Sequence, residues 1–307
     1  MRFELTLLGT NSAVPAYGRF PSAQVLNIQE KRYLIDCGEG AQMRMAEYGV
    51  PRSRIRQVFI SHLHGDHIFG LAGFLSSQSL LGRQGPMDIF SPPGLEAPIR
   101  GLLGCGGGLS FPLRFHLVDT GRHQVIFEDK HTRVYSLPLV HRIPASGFLF
   151  REKERLRNMR PEKIKAYNIH YRDIPAIKGG ADYRLPDGRL VPNEELTLPP
   201  PAPRSYAYCS DTAYSEALVP MIRGVDLLYH ESTFCEDMAG HAAATGHSTA
   251  RQAATIARMA GARRLILGHY SSRYKNLGPF LEEARAVFPD AELGEDGKVF
   301  GVEWEGG

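Results

Sequence analysis

The stretch QVFISHLHGDHIFGLAGFLSS, residues 57–77, opens with a β-branched and aromatic run and closes with apolar residues at helical spacing. It therefore predicts a strand over 57–61, a loop, and a helix from near His67. Between strand and helix stand His62, His64, Asp66 and His67, four polar groups within six positions. On an extended segment His62 and His64 share one side, and Asp66 and His67 follow at the turn into the helix. Imidazole and carboxylate are the ligands zinc takes outside cysteine sites. Four of them are too many for one tetrahedral ion that must also hold water, so two ions sharing the cluster is the economical solution. A polar surface loop is the bland alternative, and this density of imidazoles argues against it.

A two-ion site needs further ligands, and each should sit at the end of a strand, where loops converge. His141 ends YSLPLVH, Asp211 ends YAYCSD and His269 ends LILGH, each after a strand-like run. Further strands are predicted at RFELTLLG, AQVLNI, RYLID, PMDIF, PLRFHLV, HQVIF, TRVYSLPL, GFLF, RSYAYCS, VDLLYH and RRLILGH. Helices are predicted at GEGAQMRMAEYG, STARQAATIARMAG and GPFLEEARAVF, with Ser248 and Thr249 as caps of the second. The whole reads as an α/β chain of one domain over residues 1–307. One segment, 151–203, stands apart as an insertion. Its first part, residues 151–178, has nine Lys/Arg against four Asp/Glu, a basic, helix-like stretch in a chain of formal net charge +3. The Gly/Pro-rich remainder predicts an extended connector.

The totals exclude several classes. No run approaches the roughly 18–20 apolar residues of a membrane span, and the chain is expected to be soluble, untargeted and cytoplasmic. Cys37, Cys105, Cys209 and Cys235 form no C-x-x-C pair, neither a disulfide framework nor a zinc ribbon. The glycines of GCGGGL fit neither a dinucleotide fingerprint nor a Walker loop and predict a flexible loop.

With these motifs in view, the chain resembles the metallo-β-lactamase superfamily, whose H-x-H-x-D-H motif is matched by His62, His64, Asp66 and His67. Within it the chain is similar to the ribonuclease Z family. That match rests on LGTNSAVP, LIDCGEGAQ, SHLHGDHIFGLAGFLSS, SDT at 210–212, HESTF at 230–234, GHST at 246–249 and LGHYSSRY at 267–274. The resemblance implies a metallo-β-lactamase fold, a four-layer αβ/βα sandwich with an inserted basic arm, and two Zn2+ per subunit, another divalent metal being possible. One ion would take His62, His64 and His141, the other Asp66, His67 and His269, and Asp211 would bridge them. It also implies precursor tRNA as substrate, a homodimer, and an arm at 151–203 that grips the tRNA. The Gly-Pro steps of many such arms are missing from this segment.

The expected activity is endonucleolytic cleavage of precursor tRNA after the discriminator base, leaving a 3′-hydroxyl. Asp66 would accept or orient the proton of the attacking water. His247, at a helix start, would serve as general acid or as a phosphate-stabilising group, with Glu231 favouring its protonated ring. Ser271, Ser272 and Arg273 would receive phosphate oxygens, and Tyr274 would stack on a base. A hydrolase of small phosphodiesters on the same scaffold is the alternative; it needs both metals but no basic arm. A lactonase or thiolester hydrolase is a third reading, and it has no evident need of His247 beside Glu231.

Overall fold

The computed structural model describes residues 2–303, so both ends of the 1–307 span, residues 1 and 304–307, lie outside the described residues. Six strands come first in the chain: β1 (Phe3–Gly9), β2 (Ala23–Ile28), β3 (Lys31–Cys37), β4 (Ile55–Phe59), β5 (Met87–Ser91) and β6 (Leu113–Leu117). With the last strand, β18 (Val299–Gly301), they make one sheet in the order β18-β1-β2-β3-β4-β5-β6. The second sheet uses β7 (Val125–Glu128), β8 (Thr132–Pro138), β9 (Ser146–Glu152), β14 (Ser205–Cys209), β15 (Leu227–Glu231), β16 (Arg264–Gly268) and β17 (Ala291–Leu293). Its order is β17-β16-β15-β14-β9-β8-β7, with β14 through β17 parallel.

Period-two alternation sends Phe3, Leu5 and Leu7 of β1 into the space between the sheets. There they meet an aromatic cluster in which Phe59 stacks on Phe90 at 4.8 Å and meets Phe148 and Phe150 edge-on at 5.4 and 5.2 Å. Helices α1 (Ala41–Glu47), α3 (Leu71–Leu80) and α4 (Glu96–Gly104) cover the outer face of the first sheet through Met45, Phe74, Leu75 and Ile99. The outer face of the second is covered by α9 (Ala250–Ala260) and α10 (Gly278–Arg285). Four layers result: helix, sheet, sheet, helix. Alanines 253, 254 and 257 give α9 a flat buried face, and its start is fixed by a capping box in which Thr249 accepts the Gln252 N–H and the Gln252 side chain accepts that of Thr249. Ser248 is not a cap; its hydroxyl donates to the Thr212 carbonyl.

Residues up to Arg151 together with Arg204–Val302 form one compact unit, and Glu152–Pro203 form a second. The second differs from the sequence expectation in two respects. Pro161 and Pro175 each open a separate short helix, α5 (Pro161–Ala166) and α6 (Ile174–Lys178), in place of one continuous basic helix. The Gly/Pro-rich part is also ordered: β11 (Tyr183–Arg184) pairs with β12 (Leu190–Val191), α7 (Asn193–Leu196) follows, and β13 (Thr197–Leu198) pairs with β10 (Asn158–Met159). A small core of Ile169, Ile177, Leu185, Val191 and Leu196 holds it together. Glu195 accepts hydrogen bonds from Lys163 and Tyr167, so acidic residues of the second half partly neutralise the first. Over 152–203 there are ten Lys/Arg against eight Asp/Glu, and the basicity belongs to part of the unit. No helix among the described residues is long and apolar enough to cross a membrane.

Candidate metal centre

Four of the seven candidate ligands stand just beyond the end of a strand. His62 follows β4, His141 follows β8, Asp211 follows β14 and His269 directly follows β16. His64, Asp66 and His67 come from the loop and the single-turn α2 (Gly65–Ile68). Asp211 and His269, with Asp36 at the end of β3, have φ of 47°, 60° and 54°, a left-handed conformation that non-glycine residues seldom adopt. Three such turns at one site are strain that the surrounding fold must hold, and that is where functional sites keep it.

The structure brings all seven candidate ligands together. His62 Nε2 lies 3.0 Å from His64 Nδ1, which is 3.3 Å from His141 Nε2. Asp211 Oδ2 lies 3.4 Å from His62 Nε2 and 3.8 Å from His141 Nε2. A second set is formed by His67 Nε2, His269 Nε2 and Asp66 Oδ2, with separations of 3.3, 3.7 and 3.6 Å. Asp211 Oδ1 joins it at 3.2 Å from His67 and 3.0 Å from His269. Ligand atoms about 2.1 Å from a tetrahedral ion are about 3.4 Å apart, so both sets have the spacing of a tetrahedral shell. One carboxylate contributes an oxygen to each.

Tautomers support the same conclusion. Ser61 has one hydroxyl proton, directed at Asp36 Oδ2 (2.8 Å), so its oxygen accepts from His62 Nδ1–H (3.0 Å). Thr233 donates to Glu231 Oε2 (2.7 Å) and so accepts from His269 Nδ1–H (3.0 Å). His67 Nδ1–H donates to Asp36 Oδ2 and His141 Nδ1–H to the Gly246 carbonyl, at 2.7 and 2.8 Å. All four rings therefore turn Nε2 inward, the atom from which each can coordinate an ion; burial works against a charge on His67, but the Asp211, Asp36 and Asp66 carboxylates outweigh it and raise its pKa. Burial, reinforced by His62 and His141, holds the His64 pKa down at about 4, which keeps that ring a neutral donor. The cluster is able to bind metal ions.

The histidine expected to act as an acid is also in place. Burial works against a charge on His247, but the Glu231 carboxylate, 2.8 Å from Nδ1, outweighs it and raises the pKa to about 9. Glu231 is fully buried and also accepts the Thr212 and Thr233 backbone N–H groups. Donor atoms of His247 come within 4.8 Å of Asp211 and His269, so the ring stands beside the metal-binding sets.

A cavity of about 560 Å³ opens onto this cluster, and Ser271, Ser272 and Arg273 line it as anticipated. Tyr274 is not brought to it. Its ring packs edge-on against Phe280 at 4.8 Å and its hydroxyl accepts the Cys235 N–H, because the turn closed by Tyr274 N–H and the Ser271 carbonyl points it into the α9/α10 layer. Sequence reasoning missed Asp36, Thr233, Gly246 and Ser61, which fix the ring tautomers; the stretch GTNSA, residues 9–13, is readable as a source of backbone amides that shape the site, and the Ala13 N–H donates to Asp66 Oδ2 at 2.7 Å. Sequence reasoning also missed Arg142, which lines the cavity next to His141. The available signal was that Asp36, Ser61, Thr233 and Gly246 fall inside the blocks LIDCGEGAQ, SHLHGDHIFGLAGFLSS, HESTF and GHST.

Comparison with known proteins agrees with this geometry. The anti-Pycsar protein Apyc1 family matches residues 3–106 and the beta-lactamase superfamily domain matches residues 200–270. The chain is 48% identical over 288 residues to ribonuclease Z of Porphyromonas gingivalis, covering 93% of this chain and 94% of that protein. It is 46% identical over 302 residues to ribonuclease Z of Parabacteroides distasonis, covering 98% and 99%. Among solved structures, human tRNase Z, short form, superposes with a TM-score of 0.70 at 27% identity, over 98% of this chain and 99% of that one. The metallo-beta-lactamase fold protein YhfI from Bacillus subtilis has the same TM-score, 0.70, at 18% identity, a likeness of fold alone.

Proposed function

The chain belongs to the ribonuclease Z family, and from that premise we propose how its own residues cut precursor tRNA. It is an endoribonuclease of tRNA 3′-end processing that cleaves after the discriminator base and leaves a tRNA 3′-hydroxyl. The observation that carries the mechanism is the pair of tetrahedral donor sets sharing Asp211, with His247 held by Glu231 at their side.

Two Zn2+ fit these sets by donor chemistry and spacing: His62, His64, His141 and Asp211 would hold one, and Asp66, His67, His269 and Asp211 the other. Bound ions of this kind activate water and stabilise charge on the attacking and leaving oxygens. The remaining steps belong to side chains. The Ala13 N–H fixes Asp66, which takes the proton of the attacking water. Arg142 and Arg273, whose guanidinium groups have no hydrogen-bond or ion-pair partner among the described residues, hold phosphate oxygens at the cavity rim. As the bond from phosphorus to the 3′-oxygen breaks, His247 Nε2 delivers its proton to that oxygen while Glu231 holds Nδ1. The products are a free 3′-hydroxyl on the tRNA and a 5′-phosphate on the trailer.

The 152–203 unit acts as the tRNA-binding arm through part of its surface. Tyr171 is 67% exposed, with the His170 ring 4.4 Å away and the Arg172 guanidinium 5.8 Å from its centroid. Such a group stacks a base and meets a phosphate together. Tyr171→Ala is expected to raise KM for precursor tRNA about tenfold with kcat unchanged, and a dinucleotide substrate should not respond; an equal loss on both would remove the arm from tRNA binding. The protein acts in the cytoplasm as a homodimer. Met43 on α1 and Leu80 and Leu81 at the end of the neighbouring α3 are 68%, 85% and 65% exposed, apolar surface that a second copy covers. Sedimentation should give twice the chain mass; a monomer at micromolar concentration would contradict this.

The test of the whole reading is cleavage of an end-labelled precursor tRNA, with a chelator control. One chelator-sensitive cut after the discriminator is the expected result. Hydrolysis of a dye phosphodiester without precursor cleavage would move the protein to the small-phosphodiester reading.

A further inference from the structure

Phe69 is 75% exposed and lines the catalytic cavity. A lone exposed phenylalanine needs no explanation, but this one is held in place. Its ring lies on Gly65, where a Cβ would meet Phe69 Cε2 at 2.2 Å. Its backbone is fixed on both sides. Phe69 N–H donates to the Gly65 carbonyl and Gly70 N–H to the Cys37 carbonyl, both at 2.9 Å, and a Cβ on Gly70 would lie 2.2 Å from the Gly38 carbonyl oxygen. The ring therefore rests against Gly65, and most of the residue's surface is open. The other phenylalanine of the lining, Phe234, is 5% exposed and meets His241 edge-on at 5.0 Å, so it offers no face.

We propose that Phe69 is a substrate-positioning residue, a preset platform on which the base of the first trailer nucleotide stacks. The inference rests on the proposed function. The choice of nucleotide follows from the two walls of the cavity. His247 comes from the wall carried by the second sheet and protonates the departing 3′-oxygen, so the discriminator ribose lies on that side. Phe69 follows Asp66 and His67 on the wall carried by the first sheet, facing the half of the substrate that keeps the phosphate. A ring with fixed backbone and an open surface loses little freedom on binding, and stacking of this kind tolerates any base.

The test is a double-mutant cycle on precursor tRNA between Phe69→Ala and an abasic residue at the first trailer position. Each change alone should lower kcat/KM about 10- to 100-fold, and the two together should cost scarcely more than either. Phe69→Trp should restore cleavage and Phe69→Leu should not, while thermal stability and bound metal stay at the wild-type level in all three. Additive losses, or coupling to an abasic discriminator in place of the trailer nucleotide, would overturn the assignment. Wild-type protein cutting the precursor shows that the activity itself stands whichever way the cycle falls; wild-type protein failing to cut would overturn both.

Discussion

Replacing His247 with alanine is expected to slow precursor cleavage by roughly 10²–10⁴-fold while bound metal stays at two ions per chain. The ring is committed through Nδ1 to Glu231 at 2.8 Å, and that pairing, opposed by burial, raises its pKa to about 9. A protonated imidazole has no lone pair for a metal and one proton to give. Its neighbour Gly246 supplies the carbonyl that orients His141, and alanine at 247 leaves that backbone contact in place. The loop is anchored independently by the Ser248 hydroxyl on the Thr212 carbonyl. Metal analysis and single-turnover cleavage on the same sample separate the two roles. Because His247 also lies within 4.8 Å of donors on Asp211 and His269, a drop to one ion per chain would make it a ligand and end its assignment as acid. A second substrate sharpens the result. A precursor with sulfur in place of the bridging 3′-oxygen leaves as a thiolate that needs no proton, so His247→Ala should lose far less on it than on the natural linkage. Equal losses on both would mean that the imidazole acts by holding the phosphate, not by protonating the leaving group.

The two sheets and the ligand set were legible because their signals are local and redundant. Each ligand follows an apolar run whose period already marks a strand, and imidazoles have few other reasons to crowd there. Asp36 shows the opposite situation. In sequence it is one aspartate at the end of RYLID; in the fold it accepts hydrogen bonds from Ser61, His67 and Tyr208 and sets the tautomer of a ligand thirty-one positions away. A residue that works by orienting another carries no chemistry of its own to recognise. Tyr274 and Phe69 show two further limits of the sequence. Residue type put Tyr274 in the site, but the turn closed on Ser271 points it into the helix layer. Phe69 lay inside an apolar run that sequence marks only as helical, and nothing there shows that α2 ends at Ile68 and leaves its ring exposed. In 151–203 the charge run hid two prolines that start separate helices and acidic residues that fold back on the basic ones. Net charge over a window does not record which partners the fold supplies.

Asp211→Ala is expected to reduce bound metal from two ions to fewer than one and activity to that of chelated wild type. Among the described residues no other side chain serves both donor sets: Oδ1 lies 3.0 and 3.2 Å from His269 and His67, and Oδ2 lies 3.4 and 3.8 Å from His62 and His141. Its charge matters as much as its shape. Despite full burial, the surrounding imidazoles, His269 and His67 foremost, hold its carboxyl well below the usual range, so it stays ionised and supplies negative charge that two dications need. The substitution Asp211→Asn would keep the volume and the left-handed turn, but one ligand oxygen becomes an amide nitrogen that cannot coordinate. That variant should retain a single ion, in the set its carbonyl faces. The series two, one, fewer than one is the signature of a bridge, and it can be read without any assay of activity. Each ion at a thousandfold excess over its Kd stabilises the fold by about 4 kcal/mol, so chelation should lower Tm most in wild type, less in Asp211→Asn and hardly at all in Asp211→Ala. Two ions bound with unchanged affinity in the alanine variant would show that the sets are independent, and the shared carboxylate would lose its place at the centre of the site.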